Sequence, residues 1–316
     1  MGVSRRYLYH TLSRMTQLTT TTIKNKPIRN AGCLIIGDEI LNGKILDTNS
    51  YNFARFCFNN LSIPLKRTIV CGDDEQDIIN SLNILLKQDK LDLIITSGGL
   101  GSTHDDITYK VISDYFQLDY QLDQEVVDRM KSIRGDYLDK LNPEQLNAFY
   151  RMATLPVSPQ PSSLAQNSTT TTPATTVEKY FIDDKLWFPI VGLNEQVYIL
   201  PGVPQLFTQL IKDMEPMLKP RVISSDLIRR YVVTKSGETQ LAPYLTNLQE
   251  KCDKKYGKGV LKLGSYPHMN LHINTISIIG QKLTSQDLDW IVNALIENIG
   301  GDAKEITQAQ EDEYSK

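Results

Sequence analysis

Residues Leu91–Phe116 read LDLIITSGGLGSTHDDITYKVISDYF, and the fold follows from them. Leu91, Leu93, Ile94 and Ile95 make the short apolar, β-branched run of an interior parallel strand. Gly98, Gly99 and Gly101 follow at once, residues that let a backbone turn sharply and approach a ligand. Ser102, Thr103, His104, Asp105 and Asp106 come next, then a helical pattern carrying Ile107, Val111, Ile112 and Phe116. A strand, a glycine turn and a helix N-terminus together present backbone N–H groups to an anion. The two adjacent carboxylates supply the hard oxygen ligands a divalent cation takes. The spacing is neither G-x-G-x-x-G nor a P-loop, because no Gly-Lys-Ser/Thr follows. Taken alone, a Gly-Gly turn capped by aspartate is also an ordinary turn.

The flanking sequence repeats the pattern. Ala31–Gly37 (AGCLIIG) reads as a strand with Asp38 and Glu39 at its exit. A loop over Asn42–Thr48 leads to a helix with Tyr51, Phe53, Ala54, Phe56 and Leu61. Leu65–Cys71 is a second strand, with Gly72, Asp73 and Asp74 beyond it. Asp74 is placed to cap a helix over Glu75–Lys87, where Ile78, Ile79, Leu82, Leu85 and Leu86 recur at helical spacing. The β-α-β-α-β-α order predicts a parallel sheet covered on both faces. Ligands in such sheets bind at the C-terminal ends of strands, where all three acidic or glycine-rich exits fall.

Composition sets limits. The chain has 316 residues and a net charge of -3, so no broad basic surface for nucleic acid is expected. No apolar run is long enough to span a membrane. Cys33, Cys57, Cys71 and Cys252 are far apart and form no C-x-x-C; they read as buried thiols of a reducing compartment. Residues 1–30 hold Arg5, Arg6, Arg14, Lys24, Lys26 and Arg29, and no acid precedes Asp38. That make-up fits a disordered tail in a cytoplasmic protein, or alternatively a mitochondrial presequence, with Met15 as another possible start.

Further along, Gln124–Leu141 reads as a charged helix, and Asn142-Pro143-Glu144 opens another that ends near Met152. Val157–Thr176, rich in Pro, Ser, Thr and Gln, reads as a disordered insertion. Trp187–Gly192 and Gln196–Leu200 read as strands, the second running into Pro201-Gly202-Val203-Pro204 and a helix. After Arg221 the pattern is a strand at Arg230–Thr234, a helix at Glu238–Lys251, strands at Val260–Leu263 and Leu271–Ile279, and a helix at Asp287–Ile299. The expected organisation is therefore a tail over 1–30, an α/β domain over 31–220 interrupted at 157–176, a small α+β domain over 221–303, and a frayed acidic tail over 304–316.

Four blocks now carry a resemblance: IIGDEILNGKILDTNS (Ile35–Ser50), SGGLGSTHDDIT (Ser97–Thr108), MATLP (Met152–Pro156) and VYILPGVPQLF (Val197–Phe207). With GSYP (Gly264–Pro267) as a fifth, they resemble, in order, the molybdopterin-binding-like domain at the N-terminus of bacterial CinA proteins and animal FAD synthases. The resemblance implies a three-layer α/β domain with a mainly parallel sheet, plus a small α+β domain. It implies metal-dependent hydrolysis of the pyrophosphate of ADP-ribose or FAD, with magnesium, manganese or cobalt as cofactor. Symmetric self-association is also implied. No nicotinamide-mononucleotide deamidase or adenylyltransferase segment is recognised in these residues, so those activities are not carried over. Relatives that adenylylate molybdopterin usually have GGTG where this chain has Gly98-Gly99-Leu100-Gly101. Ser102 stands where CinA-type loops commonly have proline, which exchanges rigidity for a hydroxyl.

For a small-molecule pyrophosphate substrate, Asp105 and Asp106 are the first-choice metal ligands, with Asp38 and Glu39 as further candidates. Gly98, Gly99, Gly101, Ser102 and Thr103 are candidates to hold phosphates. Asp73 is a candidate for a ribose or the metal, and Gly202 for a wall of the base pocket. His104 is either a general acid or structural. The alternative reading is a module that binds a nucleotide or molybdopterin without turning it over.

Overall fold

A computed structural model describes residues 26–159 and 175–315. Its centre is a six-stranded sheet in the order β2-β1-β3-β8-β7-β6. β1 (Ala31–Ile36), β2 (Leu65–Cys71), β3 (Leu93–Ser97) and β8 (Val197–Leu200) are parallel, as the β-α-β order requires. β7 (Ile190–Leu193) runs against β8, and β6 (Val177–Tyr180) runs against β7.

Alternation along the pleat sends successive side chains to opposite faces. Leu34, Ile36 and Ile94 enter one core, beneath α3 (Glu75–Asn83), α4 (Thr108–Tyr115) and α5 (Gln124–Leu138). Ala31, Cys33, Ile35, Leu93 and Ile95 enter the other, with Phe53 and Phe56 of α2 (Asn49–Phe56) and Phe207, Leu210 and Ile211 of α7 (Pro204–Asp213). The result is a three-layer α/β/α sandwich. Asp74 caps α3 by accepting from the N–H of Asp77 at 3.0 Å. All four cysteines are buried and unpaired, and burial pushes the Cys71 and Cys252 thiols up to about 11. No helix among the described residues is long and apolar enough to cross a membrane.

Several elements differ from expectation. The chain joins the fold before residue 31: Ile28 is fully buried and bridges to Val222, and Lys26 Nζ donates to Gln196 Oε1 at 2.6 Å. The preceding basic segment lies outside the described residues, as does most of the low-complexity stretch, 160–174. The expected strand at Trp187 begins only at Ile190, because Pro189 has no N–H to give a ladder. A two-stranded ribbon, Asp119–Leu122 with Thr154–Val157, and the edge strand β6 are too short and polar to announce themselves.

The small domain is an antiparallel sheet of β9 (Leu227–Thr234), β10 (Leu261–His268), β11 (Ile273–Gln281) and β12 (Lys304–Ile306) in the order β10-β11-β9-β12, with two helices (Glu238–Tyr256 and Ser285–Asn298) over one face. The acidic tail, expected to fray, supplies β12 and a terminal helix, Gln308–Tyr314. Ile306 and Tyr314 pack with Tyr231 and Val233 against the sheet's other face. Its acids meet cations from elsewhere: Glu305 pairs with Arg230 at 2.6 Å and Asp312 with Arg55 at 3.0 Å. Charge that looks solvated in the sequence is thus paired across elements.

Candidate active site

Because β1, β2, β3 and β8 are parallel, their exits share one edge of the sheet. Gly98 leaves β3 at φ 110° and donates its N–H to Leu200 O at 3.2 Å. A methyl group there would collide with the carbonyl oxygen of Ile36 at the end of β1. Gly99 follows at φ 65°, and the buried Thr108 bonds back to both, its N–H to Gly99 O at 3.2 Å and its hydroxyl to Gly98 O at 3.0 Å. The turn is thereby pinned to the start of α4.

Asp106 braces the rest of the loop. Its carboxylate accepts from the Gly101 N–H at 2.6 Å and from the Thr103 N–H and hydroxyl at 2.9 and 2.6 Å. The N–H groups of Gly101 and Thr103 therefore point at a protein carboxylate. Among the described residues, no protein acceptor engages the N–H groups of Gly99 and Leu100, and both residues line the adjacent cleft. They are the donors best placed for an anion.

The other carboxylates gather around Asp73. It accepts from the Asp38 N–H at 3.1 Å. Burial pushes its carboxyl above the ordinary range, and the charges of Glu39, Asp38 and Asp105 push the same way against that hydrogen bond. Asp105 is exposed; hydrogen bonding within the turn, from the Thr103 side and from its own N–H, holds its carboxyl below the ordinary range, helped by the charges of His104 and Arg151. Glu39 lines the cleft beside Gly98, Gly99, Gly101, Asp106 and Gly202, whereas Asp38, Asp73, Ser102, Thr103, His104 and Asp105 are not among its lining residues. Among the described residues no three carboxylate, histidine or cysteine side chains converge closely enough to chelate an ion alone.

The raised Asp73 carboxyl couples stability to pH. Its folded-state value lies above the ordinary 3.8. The folded chain therefore holds the proton more tightly, and ionisation costs stability. That cost is absent below about pH 3.8, grows as the pH rises to the folded value and is complete at neutrality. In metal-free buffer, Asp73→Asn should melt slightly higher than the parent at pH 7 and equal to it at pH 3. The gain should stay under about 1 kcal/mol because water still reaches the group. Calorimetric melts at the two values check this, and an equal gain at both would refute it.

The cleft itself has a volume of about 520 Å³. Asn49, at the start of α2, is buried beside it. Its side-chain amide donates to Ser97 Oγ at 2.9 Å and to Gly202 O at 2.8 Å, tying the exits of β3 and β8 together. Asp47 sets this residue by accepting from the N–H groups of Asn49 and Ser50 at 2.9 and 3.0 Å. Sequence reasoning quoted this Asp-Thr-Asn-Ser block without giving it a role. It also passed over Arg151, whose charge bears on Asp105, and Trp187, Phe188, Tyr109 and Met152, which form an apolar wall. The available signal was the Asx-type turn at Asp47.

A model of the family described as "Probable molybdopterin binding domain" matches residues 32–220. The chain belongs to this family. Similarity to curated relatives extends beyond the molybdopterin-binding domain: a "Probable FAD synthase" of Caenorhabditis elegans is 26% identical over 279 residues, 86% of this chain and 50% of that protein. A "CinA-like protein" of Salinibacter ruber is 29% identical over 228 residues, 70% of this chain and 48% of that protein. The chain spans about half the length of these two relatives. A crystal structure of the protein CinA from Thermoplasma acidophilum is 25% identical, with a TM-score of 0.46, and covers 60% of this chain and 98% of that one.

Proposed function

We propose that the cleft hydrolyses the pyrophosphate bond of a nucleotide such as ADP-ribose or FAD, releasing AMP, with magnesium, manganese or cobalt as cofactor. The observation that carries the reading is the meeting, at one sheet edge, of open N–H groups at Gly99 and Leu100 with carboxylates from three strand exits. The donor set fits a hard cation: burial raises the Asp73 carboxyl, and the charges of Glu39, Asp38 and Asp105 add to that. Since no three ligands converge among the described residues, one or two of these carboxylates would hold the ion and substrate phosphates and water would complete its shell, as suits magnesium. Such an ion supplies charge that offsets the phosphates and lowers the pKa of a bound water.

The chain's own groups do the rest. Gly99 and Leu100 would donate to phosphate oxygens from the turn at the β3 exit. Asp106 keeps the loop in shape and is a positioning residue here, and Arg151 adds positive charge near Asp105. Water is consumed at phosphorus, one P–O bond forms and one breaks, and the leaving group is itself a phosphate. A phosphate with a second pKa near ~6 departs without much help from an acid, so an exposed His104 has little to contribute. A second reading, binding of a nucleotide or molybdopterin without turnover, is favoured by the family description.

The test is AMP release from ADP-ribose and from FAD by the purified chain, with each metal, with EDTA, and in Asp105→Ala. Release that needs metal and falls in the variant is expected. Tight binding with no release would overturn hydrolysis in favour of the second reading; equal release by the variant would remove Asp105 from the site.

A further inference from the structure

The half of the cleft away from the acidic exits is unlike the glycine turn. β6 runs parallel to β8 and β7 runs back, so the connection between Tyr180 and Ile190 must overhang the same edge as the strand exits. That connection delivers Trp187 and Phe188 into the cleft wall. Both side chains are half-buried, and they are held rather than loose. Trp187 meets Phe188 edge-on at 5.0 Å between ring centres and Phe149 at 5.8 Å, and Phe149 meets Tyr137 at 5.7 Å. Pro189 follows directly, and Asp183 closes the connection by accepting from the Lys185 and Leu186 N–H groups at 2.8 and 3.1 Å through its side chain and carbonyl. A rigid aromatic wall gives up little conformational entropy on binding.

Charge says what such a wall can receive. Among the described residues, the ionisable acids lining the cleft are Glu39, Asp47 and Asp106, and no lysine, arginine or histidine lines it. A second anionic group would therefore find no cationic partner at this end. A flat, uncharged ring needs none, and it would cover apolar surface as it entered. A cleft of about 520 Å³ is also of the size that holds a nucleotide-scale ligand.

The geometry points to Trp187 and Phe188 as the specificity wall of the site, a stacking surface for the neutral nitrogen-heteroaromatic ring of a ligand whose phosphate lies at Gly99 and Leu100. The inference rests on the nucleotide reading above, but it concerns binding and needs no turnover. Ring-bearing phosphates are thereby selected over ring-free ones.

The chain has two tryptophans, Trp187 and Trp290. Trp290 belongs to the small-domain core, where its indole N–H donates to the Tyr256 hydroxyl at 2.7 Å. Trp290→Phe therefore leaves Trp187 as the single tryptophan reporter. Titration of that variant with AMP, in magnesium, should change Trp187 emission saturably, and ribose 5-phosphate should leave it unchanged. By calorimetry, Trp187→Ala should weaken AMP binding about tenfold, the scale of one base–aromatic stack. Trp187→Phe should recover part of the loss, and ribose 5-phosphate should bind all three proteins alike. AMP binding that leaves Trp187 emission unchanged, equal loss of both ligands in Trp187→Ala, or no binding of AMP would each overturn the inference. Stacking of AMP together with no AMP release from ADP-ribose or FAD would sink hydrolysis and leave the wall standing.

Discussion

Gly98→Ala is expected to abolish nucleotide turnover and to lower the unfolding free energy by ~3 kcal/mol or more, as strain and overpacking combine. Two penalties coincide at this position. The backbone sits at φ 110°, a region an alanine side chain resists. The added methyl would also meet the carbonyl oxygen of Ile36, which is main chain of a central strand and cannot rotate away. Relief requires β1 and the β3 exit to separate at the point where β1 hands over to Asp38 and Glu39. The Gly98 N–H is meanwhile bonded to Leu200 O, so the β8 exit moves as well. A shift near ~1 Å costs on the order of a hundredfold in rate when reacting groups must be aligned. Gly43→Ala separates the two penalties, because Gly43 has φ 75° but nothing within 4 Å of its would-be Cβ. It should lose only about 1 kcal/mol, the cost of the backbone conformation. Urea melts of the two variants, with AMP release from each, check the argument. Equal stability of the two would show that the Ile36 contact is relieved cheaply and that the turn is not held as tightly as its hydrogen bonds imply.

The same turn shows what a sequence can disclose. The apolar runs at Ala31 and Leu93 and the β-branched end of Leu65–Cys71 read as strands, and their order with the helices between them implied a parallel sheet with its exits on one edge. Asp74 announced its helix because a side-chain cap acts within three residues. What stayed hidden depends on contacts between distant segments. The terminal segment, β12 and its helix, looks polar and free until Arg230, Arg55 and the back of the small sheet are in place. β6 has no apolar signature because only its pairing with β7 makes it a strand. Asp105 and Asp106 are neighbours of one residue type, and the sequence treats them alike. The loop conformation separates them, turning one carboxylate inward onto two N–H groups and leaving the other exposed. The aromatic wall was masked by Pro189, since Trp187 and Phe188 continue an apolar run whose ladder starts only after the proline.

Asn49 is the residue whose removal should next most damage the site. It is buried, and its amide is the shared donor to Ser97 Oγ and Gly202 O. Asn49→Ala takes the shared donor from the buried Ser97 hydroxyl and from the Gly202 carbonyl and loosens the β8 exit from the β3 exit, an expected loss of ~2–3 kcal/mol, since losing the partner of a buried polar group costs about 1–3 kcal/mol. Asn49→Asp is the sharper test because it keeps shape and inverts chemistry. An ionised carboxylate cannot donate, so its oxygen would face the Gly202 carbonyl in a site that disfavours charge. Burial and repulsion then raise the folded-state pKa of the new carboxyl above its unfolded value near ~4. The folded chain holds the proton more tightly, so the deficit is smallest below that pH, where the acid O–H can donate to Gly202, and widens as the pH rises through the folded value. At pH 7 Asn49→Asp should therefore unfold more readily than Asn49→Ala, and near pH 4 the order should narrow or reverse. Denaturant melts of both variants at the two pH values decide it. A pH-independent difference between them would mean that the Gly202 carbonyl finds water in the cleft, and that Asn49 fills space at the strand exits without tying them together.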